Sequence, residues 1–413
     1  MSYCKIIGGK ASNIALVLME IMGAGAFILR KMKGEIEMTT QNSTKVGPFR
    51  YDIVGSFLRT TGLKDALAQK RNGELSATEF LKIQHAEIKK LVAAEVKHGL
   101  ADVTDGEFSR SWWHLDFLWG LGGVAHYDYQ KSYKFKGAKT RTDNAELDGQ
   151  VAYNPEHPFF AAFSYLKSIT PAGIVPKQTI PSPTMLFRDN RSDNWPKYYQ
   201  QRTDYLHDLA KAYHLTIQHF YDLGARYLQI DDTTWAFLIS KLNETKDQPV
   251  EQQKYVTLAQ ESVAVINEML TGLPADLTVT THICRGNFRS TFLFAGGYQA
   301  VAPYLAQLNY DGFFLEYDSE RSGDFAPLKT IFNNRTEKRI VLGLLTSKEG
   351  ELEDPAEIRQ RLLEASQFVP LENLALSTQC GFASTEEGNL LTDEQQWSKI
   401  ELVKKIAQQV WQD

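Results

Sequence analysis

His282 and Cys284 stand two residues apart in the stretch THICRGN, directly behind the β-branched run LTVTT. In an extended strand residues i and i+2 project to the same face, so an imidazole and a thiol would look to one side of a sheet. Cys380, in LSTQCG, and Glu316, in FFLEYD, also stand at the ends of strand-like runs. A His, two thiolates and a carboxylate suit Zn2+, which takes four N, S or O donors in tetrahedral array. Ca2+ and Mg2+ prefer oxygen alone. Taken by itself, an H-x-C pair is read equally well as a buried cysteine beside a satisfied histidine. The expectation of a shared metal rests on Cys380 and Glu316 arriving at strand ends too. Structural zinc usually draws its ligands from close pairs such as C-x2-C. Here the donors come from three distant runs, which favours a Lewis-acid site that ionises an incoming group, and a soft, thiolate-rich site favours an incoming thiol.

Eight short runs could carry these residues: 50–55, 100–105, 177–182, 226–231, 277–283, 312–317, 339–345 and 373–378. Helical patterns separate them. In AEIKKLVAAEVKHG the residues Ile88, Leu91, Val92 and Val96 share one helix face, and Gly99 is placed for a left-handed cap. Asp354, Pro355 and Glu357 predict an N-cap, a first helical residue and a capping box, and Gly224 closes another helix. Alternation of this kind predicts parallel strands with helical crossovers and, at this length, an α/β fold of the (β/α)8 TIM-barrel type. An aromatic-rich insertion follows the second strand: residues 108–150 hold Trp112, Trp113, Trp119, Tyr127, Tyr129 and Tyr133. It reads as a lid or hairpin over the barrel mouth, or as a cluster that only packs.

The chain has 413 residues and a formal net charge of -5, with no basic run of the kind that tracks nucleic acid. Three cysteines, Cys4, Cys284 and Cys380, are too few for a disulfide framework and point to reduced thiols in the cytoplasm. No run reaches the length of a membrane span. The apolar stretch 13–29 looks like part of a secretory leader, but Glu20 interrupts it. Residues 1–37 match nothing that follows, and Met38 opens a polar run. The expected organisation is an extension over 1–37, outside the fold or a start-site artefact, and a single catalytic barrel over 38–413.

From about Val46 onward the motifs DIVGSF, DVTDGEFSR, LQIDD, THICRGNFRS, FFLEYD, VLGLLTSK and LSTQCGFAS resemble, in order, those of the cobalamin-independent methionine synthase family. The likeness is to its C-terminal catalytic barrel and to shorter single-barrel relatives. It implies zinc held by His282, Cys284, Glu316 and Cys380, and methyl transfer from a reduced folate to the thiol of homocysteine. It also implies a carboxylate-binding turn at Val54, Gly55 and Ser56, with Glu107 and Asp231 accepting from the substrate ammonium. Four departures stand out. The family's second, N-terminal barrel is absent. The catalytic His expected after the seventh strand is replaced by Thr346, Ser347 and Lys348. No Trp follows the third strand, where only Phe187 and Arg188 are on offer, and Asp232 stands where the family has Glu. The donor is therefore open between a folate and a methyl-corrinoid protein or methylated sulfur compound. A non-catalytic zinc and amino-acid-binding barrel is a rival, and a metal-water hydrolase is disfavoured by the two thiolates.

Overall fold

β-Branched and aromatic runs flanked by polar clusters form one parallel sheet in the computed structural model of the chain. Its strands are β1 (Asp102–Val103), β2 (Val175–Pro181), β3 (Tyr227–Asp232), β4 (Thr278–Ile283), β5 (Gly312–Glu316), β6 (Arg339–Leu345) and β7 (Leu374–Thr378), each paired with its neighbours in sequence. Side-chain detail is described for residues 45–131, 135 and 139–412. The chain divides into two units, Met1–Lys45 and Val46–Asp413. Of the first, an antiparallel hairpin pairing Phe27–Met32 with Glu35–Thr40 is described. Cys4 and the rest of the expected 1–37 extension lie outside the described residues, as does Tyr133 of the insertion.

Seven of the eight expected runs are strands of this sheet, 339–345 with the expected ends and the other six with shifted ones. The run at 50–55 differs. It forms a single parallel bridge, Tyr51 with Leu376, through Asp52 N–H to Leu376 O at 3.1 Å and Leu376 N–H to Arg50 O at 2.9 Å. On its other side Phe57 N–H donates to Gly106 O at 3.1 Å, and Thr104 Oγ1 to Gly55 O at 2.6 Å. The segment thus bonds toward both ends of the strand order, and the parallel sheet is curled in the manner of a TIM-like barrel.

A parallel sheet covered on both faces needs two apolar sides. Helices pack over one face in an extended core, while Val54, Phe314, Val341 and Ala375 form a separate small cluster on the inner face. Phe314 pairs with Val341, and Val341 with Ala375, across β5, β6 and β7. The inner face also carries charge: Lys177 is fully buried, 2.8 Å from Asp52 and 3.8 Å from Asp102, with its ammonium 4.5 Å from the Phe314 ring centre.

The helices follow their local signals. Ile88, Leu91 and Val92 are buried on α2 (Ala77–Lys97), which a Ser76–Glu79 capping box opens and Gly99, at φ +81°, follows. Gly224, at φ +101°, follows α3 (Arg202–Asp222). At α4 (Pro355–Ala365) the Asp354 side chain accepts from the Ala356 N–H. That bond forms one residue earlier than a capping box requires, so the cap exists in a simpler form than expected. Between β1 and β2 the chain forms an antiparallel ladder of Gly122–Asp128 with Asp143–Ala152.

Candidate active site

The parallel register places the chemistry. His282 on β4 lies beside Asp231 on β3, and beside Phe314 on β5. Glu316 stands two residues beyond Phe314, on the same inner face. Cys284 follows β4 directly, its N–H bonded to Asp232 O at 3.0 Å, and Cys380 follows β7 after Gln379, whose N–H donates to Leu345 O at 2.7 Å. All four side chains are buried.

Their donor atoms converge. The donors of His282, Glu316 and Cys380 lie within 4.8 Å of one another, and His282 Nε2 is 3.9 Å from Glu316 Oε1. Cys284 Sγ lies 3.7 Å from Cys380 Sγ. Two sulfurs at Zn–S distances of about 2.3 Å on a tetrahedron are about 3.8 Å apart, so the sulfur pair already has the spacing of one tetrahedral edge. His282, Glu316 and Cys380 form a group that could hold a metal ion, and Cys284 stands beside Cys380.

Neighbouring groups orient them. Glu316 Oε1 accepts from the Arg285 N–H at 3.0 Å and Oε2 from Arg321 at 2.8 Å, and Arg321 also holds Asp318 at 2.8 Å. His282 Nδ1 is 3.3 Å from Asp231 Oδ1, and Nε2 is 3.1 Å from Gln379 O. Burial pulls the His282 imidazole toward neutrality, but the Asp231 hydrogen bond and the charges of Cys284 and Glu316 outweigh it and raise its pKa to about 9. The Cys284 thiol is pulled down, chiefly by accepting from Cys380, and Cys380 is pushed well up by that same contact and by burial. A buried cluster with this much negative character suits a divalent cation.

A cavity of about 280 Å3 adjoins the donors, walled by Val54, Ser56, Glu107 and Asp231 together with His282, Cys284 and Cys380. Gly55, at φ +125°, makes the turn, and a Cβ there would come within 2.8 Å of Thr179. Glu107 adopts the left-handed region at φ +62°, its N–H donating to Asp105 Oδ1 at 2.9 Å. Its Oε1 accepts from Thr179 Oγ1 at 3.3 Å and lies 3.8 Å from Arg110, while Oε2 has no hydrogen-bond partner. Burial raises the Glu107 carboxyl to about 7 against the pull of Arg110. A buried carboxylate oxygen without a donor, in a cavity wall, is matched to an incoming cation such as an ammonium. Asp231 Oδ1 accepts from Gln229 at 2.7 Å.

Thr346, Ser347 and Lys348 are not in this wall. Thr346 N–H donates to Glu353 at 2.8 Å, Ser347 Oγ to Gly381 O at 3.0 Å, and Lys348 pairs with Asp318. Phe187 is core, and Arg188 bonds Thr233 at 2.6 Å and Asp189 at 2.6 and 3.0 Å. Sequence reasoning missed Trp113, Gly381 and Ser384 in the cavity wall. Trp113 had a signal, the SWWH run of the insertion, but nothing in the spacing assigned it a place. Trp113 also borders a second cavity of about 480 Å3, walled by Trp112, Phe288 and Phe294, with Arg188, Arg191 and His114. Arg188 and Arg191 share Asp189, and His114 is kept neutral by burial and the two guanidiniums.

The description "cobalamin-independent synthase, catalytic domain" matches residues 50–396. The chain belongs to this family. The Bacillus subtilis (strain 168) protein YxjH, described as uncharacterized, is 46% identical over 368 residues, covering 88% of this chain and 95% of that one. A Listeria monocytogenes structure, described provisionally as a vitamin-B12 independent methionine synthase, is 39% identical with a TM-score of 0.71, covering 89% of this chain and 99% of that one. The B12-independent methionine synthase of Shewanella sp. W3-18-1, solved with selenomethionine, shares the fold at 18% identity, with a TM-score of 0.62 and coverage of 90% and 98%. Among the described residues no helix is long and apolar enough to cross a membrane.

Proposed function

We propose that this synthase-family chain is a zinc-dependent methyltransferase that moves a methyl group from a reduced folate to the thiol of homocysteine, giving methionine. The observation that carries the reading is the shared wall: His282, Cys284 and Cys380 line the same cavity as the carboxylates of Glu107 and Asp231. One ligand can then present an ammonium to the acids and a thiol to the donors. Zinc bound by His282, Cys284, Glu316 and Cys380 would supply a Lewis acid that favours the thiolate form of the substrate. The Val54–Gly55–Ser56 turn binds the substrate carboxylate, and Glu107 and Asp231 bind its ammonium. Burial of the cavity keeps water from the reacting sulfur. An S–CH3 bond forms as the donor's N–CH3 bond breaks, and the departing nitrogen retains the electron pair and takes up a proton. Complexed selenomethionine in the Shewanella relative agrees with an amino-acid product of this shape.

A second donor class is favoured by one observation: Thr346, Ser347 and Lys348, where the family's acid is expected, are engaged with Glu353, Gly381 and Asp318. A methyl-corrinoid or methylated thiol leaves with less acid help than a folate amine. A cationic sulfonium suits the 480 Å3 cavity poorly, because Arg188 and Arg191 share the single carboxylate of Asp189 there. The deciding assay measures zinc content, then methionine formed from homocysteine with methyl-folate, methyl-corrinoid or a methylated sulfur compound. Turnover from methyl-folate is the expected result. Turnover from another donor alone corrects the donor, and bound zinc with no turnover from any overturns the enzymatic reading.

A further inference from the structure

A groove of about 990 Å3 lies on the far side of the loop that carries Glu107, between that loop, the insertion and α1 (Thr61–Arg71). Its wall holds six cations, Arg59, Lys64, Lys70, Arg71, Arg110 and Arg141, against three carboxylates, Asp116, Asp143 and Glu386. The chain as a whole carries a formal charge of -5, so this concentration of positive charge runs against the general balance.

Those cations are incompletely neutralised. The Lys and Arg ion pairs at the groove are Arg71 with Glu386, Arg141 with Asp143 at 3.5 Å and with Glu387 at 4.0 Å, and Arg110 with Glu107 at 3.8 Å, and Asp143 also lies 2.8 Å from His126. Arg59, Lys64 and Lys70 have no carboxylate among these partners. The Arg59 guanidinium is buried and donates only to main-chain carbonyls, those of Phe57, Ala383, Glu107 and Arg110, at 2.6 to 3.3 Å, and its Nε has no partner. Lys64 donates to the Glu387 carbonyl at 3.3 Å, and Lys70 sits 4.5 Å from the Phe80 ring centre. Asp116 offers them little, because it accepts from the N–H groups of Ser111 at 3.2 Å and Trp112 at 2.8 Å. Buried and half-buried guanidiniums without counter-ions are recognition elements for carboxylate and phosphate groups.

We propose that this groove is a binding site for a small molecule bearing several carboxylate or phosphate groups. Arg59 lies at its floor with Lys64 and Lys70 at the rim, while Arg110 adds positive charge from below, its guanidinium engaged with Thr179, Trp113 and Glu107. Leu63, Leu67 and Phe108 line it as well, so the ligand carries an apolar part between its anionic groups. The site does not depend on the methyl-transfer reading: none of the zinc donors lies in its wall, and of the cavity acids only Glu107 touches it, through Arg59 and Arg110.

The test is calorimetric titration of the whole protein with tripolyphosphate and, separately, with tetra-γ-glutamate, at low and at physiological salt. Saturable binding of either, one per chain and weaker in salt, is expected, with at least about tenfold loss of affinity in the K64Q/K70Q double variant. Tripolyphosphate alone binding identifies a phosphoryl ligand, and the oligoglutamate alone a polycarboxylate. Neither probe binding, or both binding the double variant as tightly as the parent, overturns the proposal. Zinc content and circular dichroism of the variant report that its fold is intact, and because methyl transfer is not measured, failure here is separate from failure of the assay above.

Discussion

Cys284 and Cys380 come from positions 96 residues apart and set their sulfur atoms 3.7 Å from each other. Only the curled sheet brings β4 and β7 ends to one mouth. If both are ligands, Cys284→Ser and Cys380→Ser should each lower bound zinc from about one per chain to under about a tenth and remove turnover, since a hydroxyl is a far poorer zinc ligand than a thiolate. Metal analysis after exhaustive dialysis is the check. Full zinc and full activity in either variant would reject that residue as a ligand.

Arg321 touches the site only through Glu316 and Asp318, at 2.8 Å each. It fixes the carboxylate's direction without donating to any metal. Arg321→Met should therefore weaken zinc binding about 10- to 100-fold while leaving one zinc per chain at saturation. Competition with a coloured chelator measures this. Unchanged affinity would show that Arg285 N–H, at 3.0 Å, suffices to orient Glu316.

Glu107 supports a prediction with two opposite signs. Burial lifts its carboxyl from 4.5 to about 7, so the folded state favours the protonated form, and stability present below about pH 4.5 is lost as pH rises through about 7. Relative to the parent, Glu107→Gln should thus gain stability between those pH values, by up to about 3 kcal/mol at pH 8. Substrate binding runs the other way. An ammonium needs the carboxylate, so the parent's KM for homocysteine should rise as pH falls below about 7, a limb that the Gln variant lacks. Urea melts at pH 5 and 8, with KM profiles, test both; a Gln variant with the parent's pH limb would remove Glu107 from ammonium binding.

The positions of the donors were legible in the sequence because strand-end chemistry depends on local pattern: an i, i+2 pair on a β-branched run needs little tertiary context. The places of Val54, Ser56, Glu107 and Asp231 in one cavity wall were legible only through the family motifs. What stayed hidden is long-range. The 50–55 run keeps one bridge instead of a ladder because its partners are fixed by curl of the whole sheet. Asp102 has two buried oxygens without hydrogen-bond partners and a carboxyl pushed well up by burial, then by Asp52, yet nothing in LADVTD marks it as paired with Lys177. Trp113 reached the cavity from an insertion whose fold no periodicity encodes. The basic groove likewise gathers α1, the Glu107 loop and the insertion, and of its six cations only Lys70 and Arg71 are neighbours in sequence.

Gly381 is where packing and substrate binding meet. A Cβ at this position would stand 1.9 Å from Ser56 Oγ, 3.0 Å from Ser56 Cβ and 3.0 Å from Ser56 N. Rotating the hydroxyl would relieve the first contact but not the main-chain one, so Gly381→Ala must displace the turn that we assign to the substrate carboxylate. The three nearest contacts of the added methyl all belong to Ser56, and none to His282, Cys284 or Glu316. The variant should therefore keep one zinc per chain while its KM for homocysteine rises at least about tenfold and kcat falls less. Steady-state kinetics beside metal analysis separates the two effects. Zinc loss with an unchanged KM would place the role of Gly381 in the metal centre and leave the 54–56 turn without support as the carboxylate site.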